Sequence, residues 1–294
     1  MKLRVGSRES RLAVIQSQMV IHAIKRLHPA VEVELVTMKT TGDLILNQTL
    51  DKIGGKGLFV KELDRALLSG EVDLTVHSFK DLPAELDHRL PIVAVSKRED
   101  PRDVLVLPKN ITELDWSKPI GCSSARRRVQ LKRLYPQCHI APVRGNVITR
   151  LEKLDRGEFS ALVLAAAGLK RLGLEGRISR VFEPDELLPA ACQGILAVQA
   201  RQDFDLNLLA GFHDPDTVKI AQAERSFVKT LDGGCSSPVA AYGRLKGEQL
   251  YLTGLYADEA SGEFEIGSFE APAVESEELG RRLALELKGR AQHV

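Results

Sequence analysis

Cysteines and long apolar runs are scarce in this chain, and each scarcity excludes a class of protein. The sequence has four cysteines, which are far apart and form no CxxC pair. That spacing argues against a structural zinc site or a disulfide framework and favours a reducing compartment. No stretch reaches the roughly 18 apolar residues of a membrane span, and the N-terminal residues lack the apolar core of a signal peptide. We therefore expect a cytoplasmic protein without a membrane partner, and no bound metal.

Charge of one sign is not in excess either, since 41 lysines and arginines face 40 aspartates and glutamates. A net charge of +1 gives the whole molecule no reason to attract nucleic acid. The sequence contains no helix-turn-helix segment or basic tail, so a transcription regulator is disfavoured and we expect no nucleic-acid partner. Any function that depends on charge must come from local clusters.

The first two thirds of the chain alternate strand-like and helix-like segments, a pattern typical of mostly parallel sheets with helices beside them. Ser10 can cap a helix that runs to about His28, where Pro29 ends it. The segments predicted as strands are 3–5, 31–38, 74–76, 92–95, 104–107, 120–122, 140–143 and 161–165. The succession restarts after a polar stretch at 97–102, which predicts two βα halves with a cleft between them.

The last third of the chain has a different pattern. A helix from about Thr217 leads into a Gly-Gly-Cys loop, which three strand-like segments and a final helix follow. This order predicts a small α+β domain. A chain of 294 residues is also longer than one hydrophobic core usually serves, so we expect more than one domain.

Cationic side chains collect near the carboxyl ends of the predicted strands. They are Arg8, Arg11, Lys80, Arg126, Arg127, Arg128, Arg144 and Arg150. In an open parallel sheet these strand ends lie along one edge, where ligands usually bind. A helix N-terminus with hydroxyls and guanidinium groups, such as the one expected with Ser123 or Ser124 as its cap, suits an anion. Any one arginine could simply be solvated, but the clusters together predict a ligand with several carboxylates or phosphates.

One acid and one cysteine stand out beside these cations. Asp81 follows Lys80 at a strand end, where it could hold a negative charge inside the cleft or only cap a helix or pair with a cation. Cys235 lies in a loop with two glycines, which can turn tightly and present the thiol as a nucleophile or attachment point. An isolated cysteine is more often inert, and the residues alone do not define a reaction.

The loop at 51–57 adds Lys52 and Lys56 among three glycines. It lacks the spacing of a P-loop and the hydroxyl residue after its lysine. The loop could be a flexible cationic lid over the cleft or a plain surface loop.

Seven segments of the sequence carry a resemblance to a known family. They are GSRES at 6–10, GGKGLFVKEL at 54–63, VHSFKDLP at 76–83, REDPRD at 98–103, RGNV at 144–147, AGLKRLG at 167–173 and LDGGCSSP at 231–238. In this order and at this spacing, the chain resembles the porphobilinogen deaminase family nearly from end to end. The resemblance implies an α/β fold of two periplasmic-binding-protein-like βα domains (type II) and a small C-terminal α+β domain. It places residues 1–97 with about 193–214 in the first domain, 98–192 in the second and 215–294 in the third.

The resemblance also implies an activity, that of a transferase that joins four porphobilinogen molecules, with loss of ammonia, into the linear tetrapyrrole hydroxymethylbilane. Cys235 matches the cysteine that holds a dipyrromethane cofactor through a thioether bond. Asp81 matches the catalytic aspartate, which stabilises developing positive charge. The expected partner is the small-molecule substrate porphobilinogen, and the expected working form is a monomer.

The remaining matched positions would bind the acetate and propionate carboxylates of the pyrroles. Those matched to cofactor binding are Ser10, Lys80, Ser124, Arg126, Arg127, Arg144 and Arg150. Those matched to substrate binding are Arg8 and Arg171, together with Lys52 and Lys56 in the lid. Cys192 departs from the family's usual glycine, and Cys122 and Ala125 depart from the residues common before the paired arginines.

Two other functions stay open on the residues alone. A binding module of the periplasmic type, which captures a small dicarboxylate, would explain two lobes and the cations but would leave Cys235 idle. A cysteine hydrolase that pairs Cys235 with His77 has no nucleophile–base motif behind it. Pyrrole attached covalently to Cys235 would separate the three functions.

Overall fold

The fold comes from a computed structural model, which describes residues 2–44, 60–233, 238–257 and 263–291. These residues form three β-sheets, two with five strands and one with three. Helices pack against each sheet; in the two five-stranded sheets they lie between strands in the chain, and in the three-stranded sheet they precede and follow the strands. The molecule is therefore of the mixed α/β type.

The first sheet has the strand order β2-β1-β3-β10-β4. Its strands are β1 (Lys2–Arg8), β2 (Glu32–Met38), β3 (Leu74–Ser78), β4 (Ile92–Val95) and β10 (Leu196–Ala200). Strand β1 pairs in parallel with β2 and β3, whereas β10 is antiparallel to both of its neighbours. Helix α1 (Arg11–Leu27) buries a stripe that includes Val20 and Ile24 against this sheet.

Local signals explain where the helices of this first lobe begin and end. Ser10 is the N-cap of α1, and its hydroxyl accepts a hydrogen bond from the Ala13 amide at 3.4 Å. His28 is the C-cap, and Pro29 follows it. Two shorter helices, α2 (Thr41–Leu44) and α3 (Lys61–Leu68), also belong to the described part of this lobe. Gly70 follows α3 with a φ of +72°, a left-handed conformation that favours glycine after a helix.

The second sheet has the strand order β7-β6-β8-β5-β9. Its strands are β5 (Asp103–Val106), β6 (Ile120–Gly121), β7 (Ile140–Ala141), β8 (Ala161–Ala165) and β9 (Arg180–Val181). Strand β5 is antiparallel to β8 and β9, while β6 is parallel to β7 and β8. Helices α4 (Ala125–Leu134), α5 (Val147–Asp155) and α6 (Ala166–Arg171) follow β6, β7 and β8. The N-termini of all three helices in this second lobe therefore lie at strand carboxyl ends.

Two chain crossovers join the lobes. One runs from β4 to β5 and the other from β9 back to β10. Each crossover therefore leads directly into the strand that runs antiparallel to its neighbours, β5 in the second sheet and β10 in the first. The crossovers contact each other, because the Glu99 amide donates a hydrogen bond to the Gly194 carbonyl at 3.1 Å. Gly194 has a φ of +90°, and a Cβ there would lie 2.3 Å from the Glu99 carbonyl oxygen. Only glycine fits this contact.

The C-terminal lobe contains an antiparallel sheet with two helices on it. The strands are β11 (Val239–Lys246), β12 (Gln249–Ala257) and β13 (Phe264–Pro272), and the helices are α7 (Pro215–Thr230) and α8 (Ser276–Ala291). Their core includes Phe227, Leu252 and Leu283. The helices pack closely at Gly280, where a Cβ would lie 2.1 Å from the Ala223 carbonyl oxygen.

The predicted fold class is confirmed by these two mostly parallel sheets and the smaller antiparallel one. The domain boundaries at 97, 192 and 214 stay predictions, although β10 does return to the first sheet. Strands β9 and β10 are not among the segments predicted as strands from the sequence. Strand β9 has only two residues, and β10 follows a long irregular stretch. Among the described helices, none combines the length and the apolar character needed to cross a membrane.

Candidate active site

A cavity of about 730 Å³ lies between the first two lobes, with a second of about 210 Å³ beside it. The predicted site residues that line the larger cavity are Arg8, Ser10, Lys80, Asp81, Arg127, Arg144, Arg150 and Arg171. Ser124 and Arg126 line the smaller one, which shares Lys80, Asp81, Arg127 and Arg150 with the larger. The fold thus brings every predicted site residue that the structure describes to this pair of cavities.

The first lobe places Asp81 in a single 3₁₀ turn, Phe79–Asp81, directly after β3. The Phe79 side chain is buried and anchors this turn, and the Arg225 guanidinium lies 4.8 Å from the centre of its ring. Asp81 is itself exposed. A carboxylate is therefore presented at the wall that the two cavities share.

The second lobe turns Arg126 and Arg127 toward an internal partner. The buried carboxylate of Asp103 lies 2.7 Å from Arg126 Nη1 and 2.6 Å from Arg127 Nη2. Burial alone would raise the pKa of Asp103, but the two arginines outweigh it and hold that pKa well below its usual range. The predicted binding of ligand carboxylates by this pair stays a prediction. Within the described residues, both Nε–H groups are buried without a hydrogen-bond partner.

The serines before α4 do not cap it through their side chains. Ser124 occupies the N-cap position, but its hydroxyl makes no capping hydrogen bond. The Ser123 hydroxyl instead donates to the Val143 carbonyl at 2.6 Å and accepts from the Val143 amide at 3.0 Å. Ser123 therefore ties the end of β6 to the segment after β7, and Ser124 lines the smaller cavity.

The cavity concentrates positive charge at an electrostatic cost. Burial lowers the pKa of Lys80 to about 8, against the opposing effect of Asp81. Burial likewise lowers the pKa of Arg150 and that of Arg171 to about 10. Because desolvation disfavours the charged form of each group, an anionic ligand at this place would relieve the cost. The arrangement suits a ligand that carries several carboxylates.

Sequence reasoning missed three polar residues at the site. Gln16 is buried on the inner face of α1, where its amide donates to the Ser78 hydroxyl at 2.9 Å. Gln193 and Asp103 are also buried, and they are hydrogen-bonded to each other at 2.8 Å. The signal that could have found Gln16 and Asp103 is a polar residue at an otherwise apolar position, since buried polar groups are usually paired.

Three predicted site residues, Cys235, Lys52 and Lys56, lie outside the described residues. The chain on either side of 234–237 is described. Gly233 packs against Val228 and Val239, and these two valines line the smaller cavity that also contains Asp81. The polypeptide that leads into and out of the segment with Cys235 therefore borders the cavity.

The remaining histidine and cysteine candidates are packed side chains. His77 lies inside the first sheet with Nε2 2.9 Å from the Thr75 hydroxyl, and burial, together with nearby Arg8, lowers its pKa to about 3. Burial raises the pKa of the Cys122 thiol and of the Cys192 thiol. Within the described ranges, no three histidine, cysteine or acidic side chains are grouped as metal ligands.

Two βα lobes around a cationic cavity, joined by paired crossovers and accompanied by a third lobe, place the chain among two-lobed α/β proteins with a cleft between the lobes. A family model described as "Porphobilinogen deaminase, dipyromethane cofactor binding domain" matches residues 3–207. A second, described as "Porphobilinogen deaminase, C-terminal domain", matches residues 218–289. The chain belongs to the porphobilinogen deaminase family.

Full-length relatives agree with these matches. A porphobilinogen deaminase from Alkaliphilus oremlandii is 65% identical over 289 residues, which cover 98% of this chain and 97% of that protein. One from Acetivibrio thermocellus is 64% identical over 290 residues, 98% of this chain and 99% of that protein. Among solved structures, the periplasmic VFT2 domain of Bordetella pertussis BvgS superimposes with a TM-score of 0.42 and 16% identity, over 70% of this chain and 83% of that one.

Proposed function

We propose that the cleft carries out the reaction of the family to which the chain belongs. It joins four porphobilinogen molecules to a dipyrromethane primer held by Cys235, with loss of one ammonia for each. Water then cleaves the bond to the primer, which releases the linear tetrapyrrole hydroxymethylbilane and leaves the primer on the protein. The observation that carries the proposal is the exposed carboxylate of Asp81, the acid that lines both cavities, among several arginines and a lysine. Among the described residues, Glu9 is the other acid that lines the larger cavity. Such a site can bind a polyanion and still stabilise a cation formed within it.

The residues present fit a dipyrromethane group. Its carboxylates require several donors, and the smaller cavity offers Lys80, Ser124, Arg126 and Arg127 beside the chain that flanks 234–237. The buried Nε–H groups of both arginines, which have no hydrogen-bond partner among the described residues, suit carboxylate oxygens. When bound, dipyrromethane would supply the free pyrrole carbon to which the first porphobilinogen is joined. Asp103 stays between the two arginines and keeps them oriented.

Asp81 acts by electrostatic stabilisation. Loss of ammonia from porphobilinogen leaves positive charge on the pyrrole, and a carboxylate fixed beside it lowers the energy of that state. The 3₁₀ turn holds Asp81 in place because the buried Phe79 ring anchors its first residue. No reorganisation of the carboxylate is then needed at the moment of reaction.

The cations of the larger cavity bind the carboxylates of incoming substrate and of the growing chain. Arg8 and Arg171 act on substrate, and Ser10, Arg144 and Arg150 act on the bound pyrroles. These side chains come from both lobes, from strand ends and from the helices that follow them, so a ligand that spans them also holds the lobes together. The substrate-binding role that the family match gives Lys52 and Lys56 stays a prediction, because both lie outside the described residues.

Intact mass is the test of this function. The purified protein should exceed its sequence mass by two linked pyrrole units, and a Cys235→Ala variant should lose that excess. Incubation with porphobilinogen should then produce hydroxymethylbilane only with the wild-type chain. A wild-type protein that gains no pyrrole and forms no tetrapyrrole after incubation with porphobilinogen would overturn the proposal.

A non-catalytic protein that binds a small dicarboxylate is the alternative, and family membership does not favour it. It would bind a dicarboxylate reversibly and carry no mass excess, so the same experiment separates the two. We also propose that the chain works as a cytoplasmic monomer with no nucleic-acid partner. The three described cysteines, Cys122, Cys138 and Cys192, are free thiols, which suits a reducing compartment.

A further inference from the structure

Gln193 lies where the returning crossover meets both lobes. Its side chain is fully buried, and it precedes the left-handed Gly194 that contacts the first crossover. Its amide nitrogen donates to the Pro101 carbonyl at 2.6 Å and to Asp103 Oδ1 at 2.8 Å. Its amide oxygen accepts from Lys80 Nζ at 3.1 Å. One side chain thus contacts the first lobe, the crossover and the second lobe.

Only one orientation of this amide satisfies its neighbours. An ammonium group can only donate hydrogen bonds, whereas an ionised carboxylate and a backbone carbonyl can only accept them. The oxygen of Gln193 must therefore face Lys80, and the nitrogen must face Asp103 and Pro101. Because the side chain is buried, no water competes for these contacts.

We propose that Gln193 is a positioning residue, which holds the Lys80 ammonium in its charged form and in place at the cavity wall by tying it to Asp103. The proposal rests on the function given above, in which Lys80 binds a pyrrole carboxylate. An ammonium group has three donors, and the contact with Gln193 fixes one of them. The other two then keep a defined direction toward neighbouring groups and ligand.

The charges around Lys80 make its protonation sensitive to this contact. Burial lowers the pKa of Lys80 to about 8, Asp81 and Asp103 oppose that effect, and Arg127 and Arg126 add to it. A neutral acceptor adds no net charge here, yet it stabilises the ammonium form by a hydrogen bond. Loss of the acceptor should lower the pKa of Lys80 further. A carboxylate in its place should raise that pKa, because the positive charges of Lys80, Arg126 and Arg127 outnumber Asp103 and keep a second carboxylate ionised, although one of its oxygens would then face Asp103 and Pro101.

The experiment compares Gln193→Met and Gln193→Glu in the intact protein. The pKa of Lys80 is measured from the pH dependence of its acetylation rate, followed by mass spectrometry of the peptide that contains it. We expect Gln193→Met to lower this pKa by about one unit and Gln193→Glu to raise it by about one unit. The alkaline limb of the pH profile for hydroxymethylbilane formation should move in the same two directions. Gln202→Glu, at an exposed position after β10, is the matched control and should shift neither.

Opposite shifts distinguish positioning from a structural role, which would alter stability in both variants without moving the pKa of Lys80 in two directions. An unchanged pKa in both variants, or shifts of the same sign, would overturn the proposal. If Gln193→Glu does not fold, the pKa of Lys80 in Gln193→Met tests the proposal by itself. An unchanged pKa in that variant would then overturn the proposal. The acetylation measurement does not require turnover, so it tests the role of Gln193 even if the proposed function is wrong. Failure of the proposed function would be seen separately, as an intact mass without attached pyrrole.

Discussion

Glu224 on α7 and Arg98 in the first crossover form a buried, bidentate ion pair, with N–O distances of 2.6 and 3.3 Å. The Glu224 carboxylate also accepts hydrogen bonds from the backbone amides of Cys192 and Gly243. Cys192 belongs to the returning crossover and Gly243 to β11. This one carboxylate therefore joins both crossovers to the C-terminal lobe.

Removal of that carboxylate should destabilise the protein strongly. We expect Glu224→Ala to lower the free energy of unfolding by about 3–5 kcal/mol, because Arg98 would be left buried without its counter-charge. Urea unfolding measures the change. The control is Glu183→Ala, which removes the exposed partner of Arg102 and should cost less than about 1 kcal/mol. Equal losses in the two variants would contradict this account.

Asp81→Asn should separate catalysis from cofactor attachment. The variant keeps the shape of the side chain but removes the negative charge, so turnover to hydroxymethylbilane should fall by at least about 100-fold. Intact mass should still show the two pyrrole units on the protein. Turnover near the wild-type rate would remove Asp81 from the proposed mechanism.

Asp64 on α3 should make stability depend on pH. Burial, with a smaller contribution from Asp87, raises the pKa of Asp64 from 3.8 to about 6. The folded state therefore binds a proton more tightly than the unfolded state, so the free energy of unfolding falls as the pH rises between these two values. Above pH 6 the carboxylate is ionised in both states, and the folded protein then bears the cost of a half-buried charge.

Asp64→Asn should therefore be more stable than the wild type at neutral pH, by about 1–2 kcal/mol after allowance for partial exposure. The gain should vanish as the pH falls to 3.8. Thermal unfolding across this range measures it. Asp203→Asn, at an exposed position after β10, should give no such pH-dependent difference. A gain that does not change with pH would show that charge is not the cause.

Cys192 adopts a left-handed conformation, with a φ of +60°, and its side chain is buried. Because a Cβ is unfavourable at this φ, Cys192→Gly should be more stable than Cys192→Ala by about 1 kcal/mol. Both variants lose the sulfur, so their difference isolates the backbone strain. At Ala221, inside α7, the order of stability should be reversed: Ala221→Gly should be less stable than the wild type by about 1 kcal/mol, as is usual for glycine inside a helix. Thermal unfolding of the three variants measures these differences. A Cys192→Gly variant that is less stable than Cys192→Ala would show that the backbone at this position is not strained.

Much of the fold and the approximate place of the site could be predicted from local pattern. Ser10 and Pro29 bound α1 as expected, because helix caps and proline act on the residues next to them. Most of the cations predicted at strand ends do line the pair of cavities, because parallel strands bring their carboxyl ends to the same edge. Arg11 and Arg128 were also predicted there, but they line neither cavity. Strand β9, with two residues, offers too little periodicity to be found this way.

The partners of the charged residues could not be predicted. The arginines at 126 and 127 were expected to face ligand, yet Asp103, more than 20 residues earlier, lies between them. Lys80 meets Gln193, which is 113 residues away in the chain. No local pattern encodes such pairs, since they arise only when the two crossovers place separate segments side by side.

The sequence by itself determined the period of the longer helices and of most strands, the caps of the first helix, the glycines and the family motifs, because these depend on neighbouring residues and on side-chain chemistry. Tertiary structure decided which charges are buried and what compensates them. The crossovers carry Asp103 and Gln193 into the space between the lobes, where low polarity makes each unpaired charge costly. Pairing in that space, rather than residue type, decides which cations are neutralised inside the protein, as Arg126 and Arg127 are by Asp103.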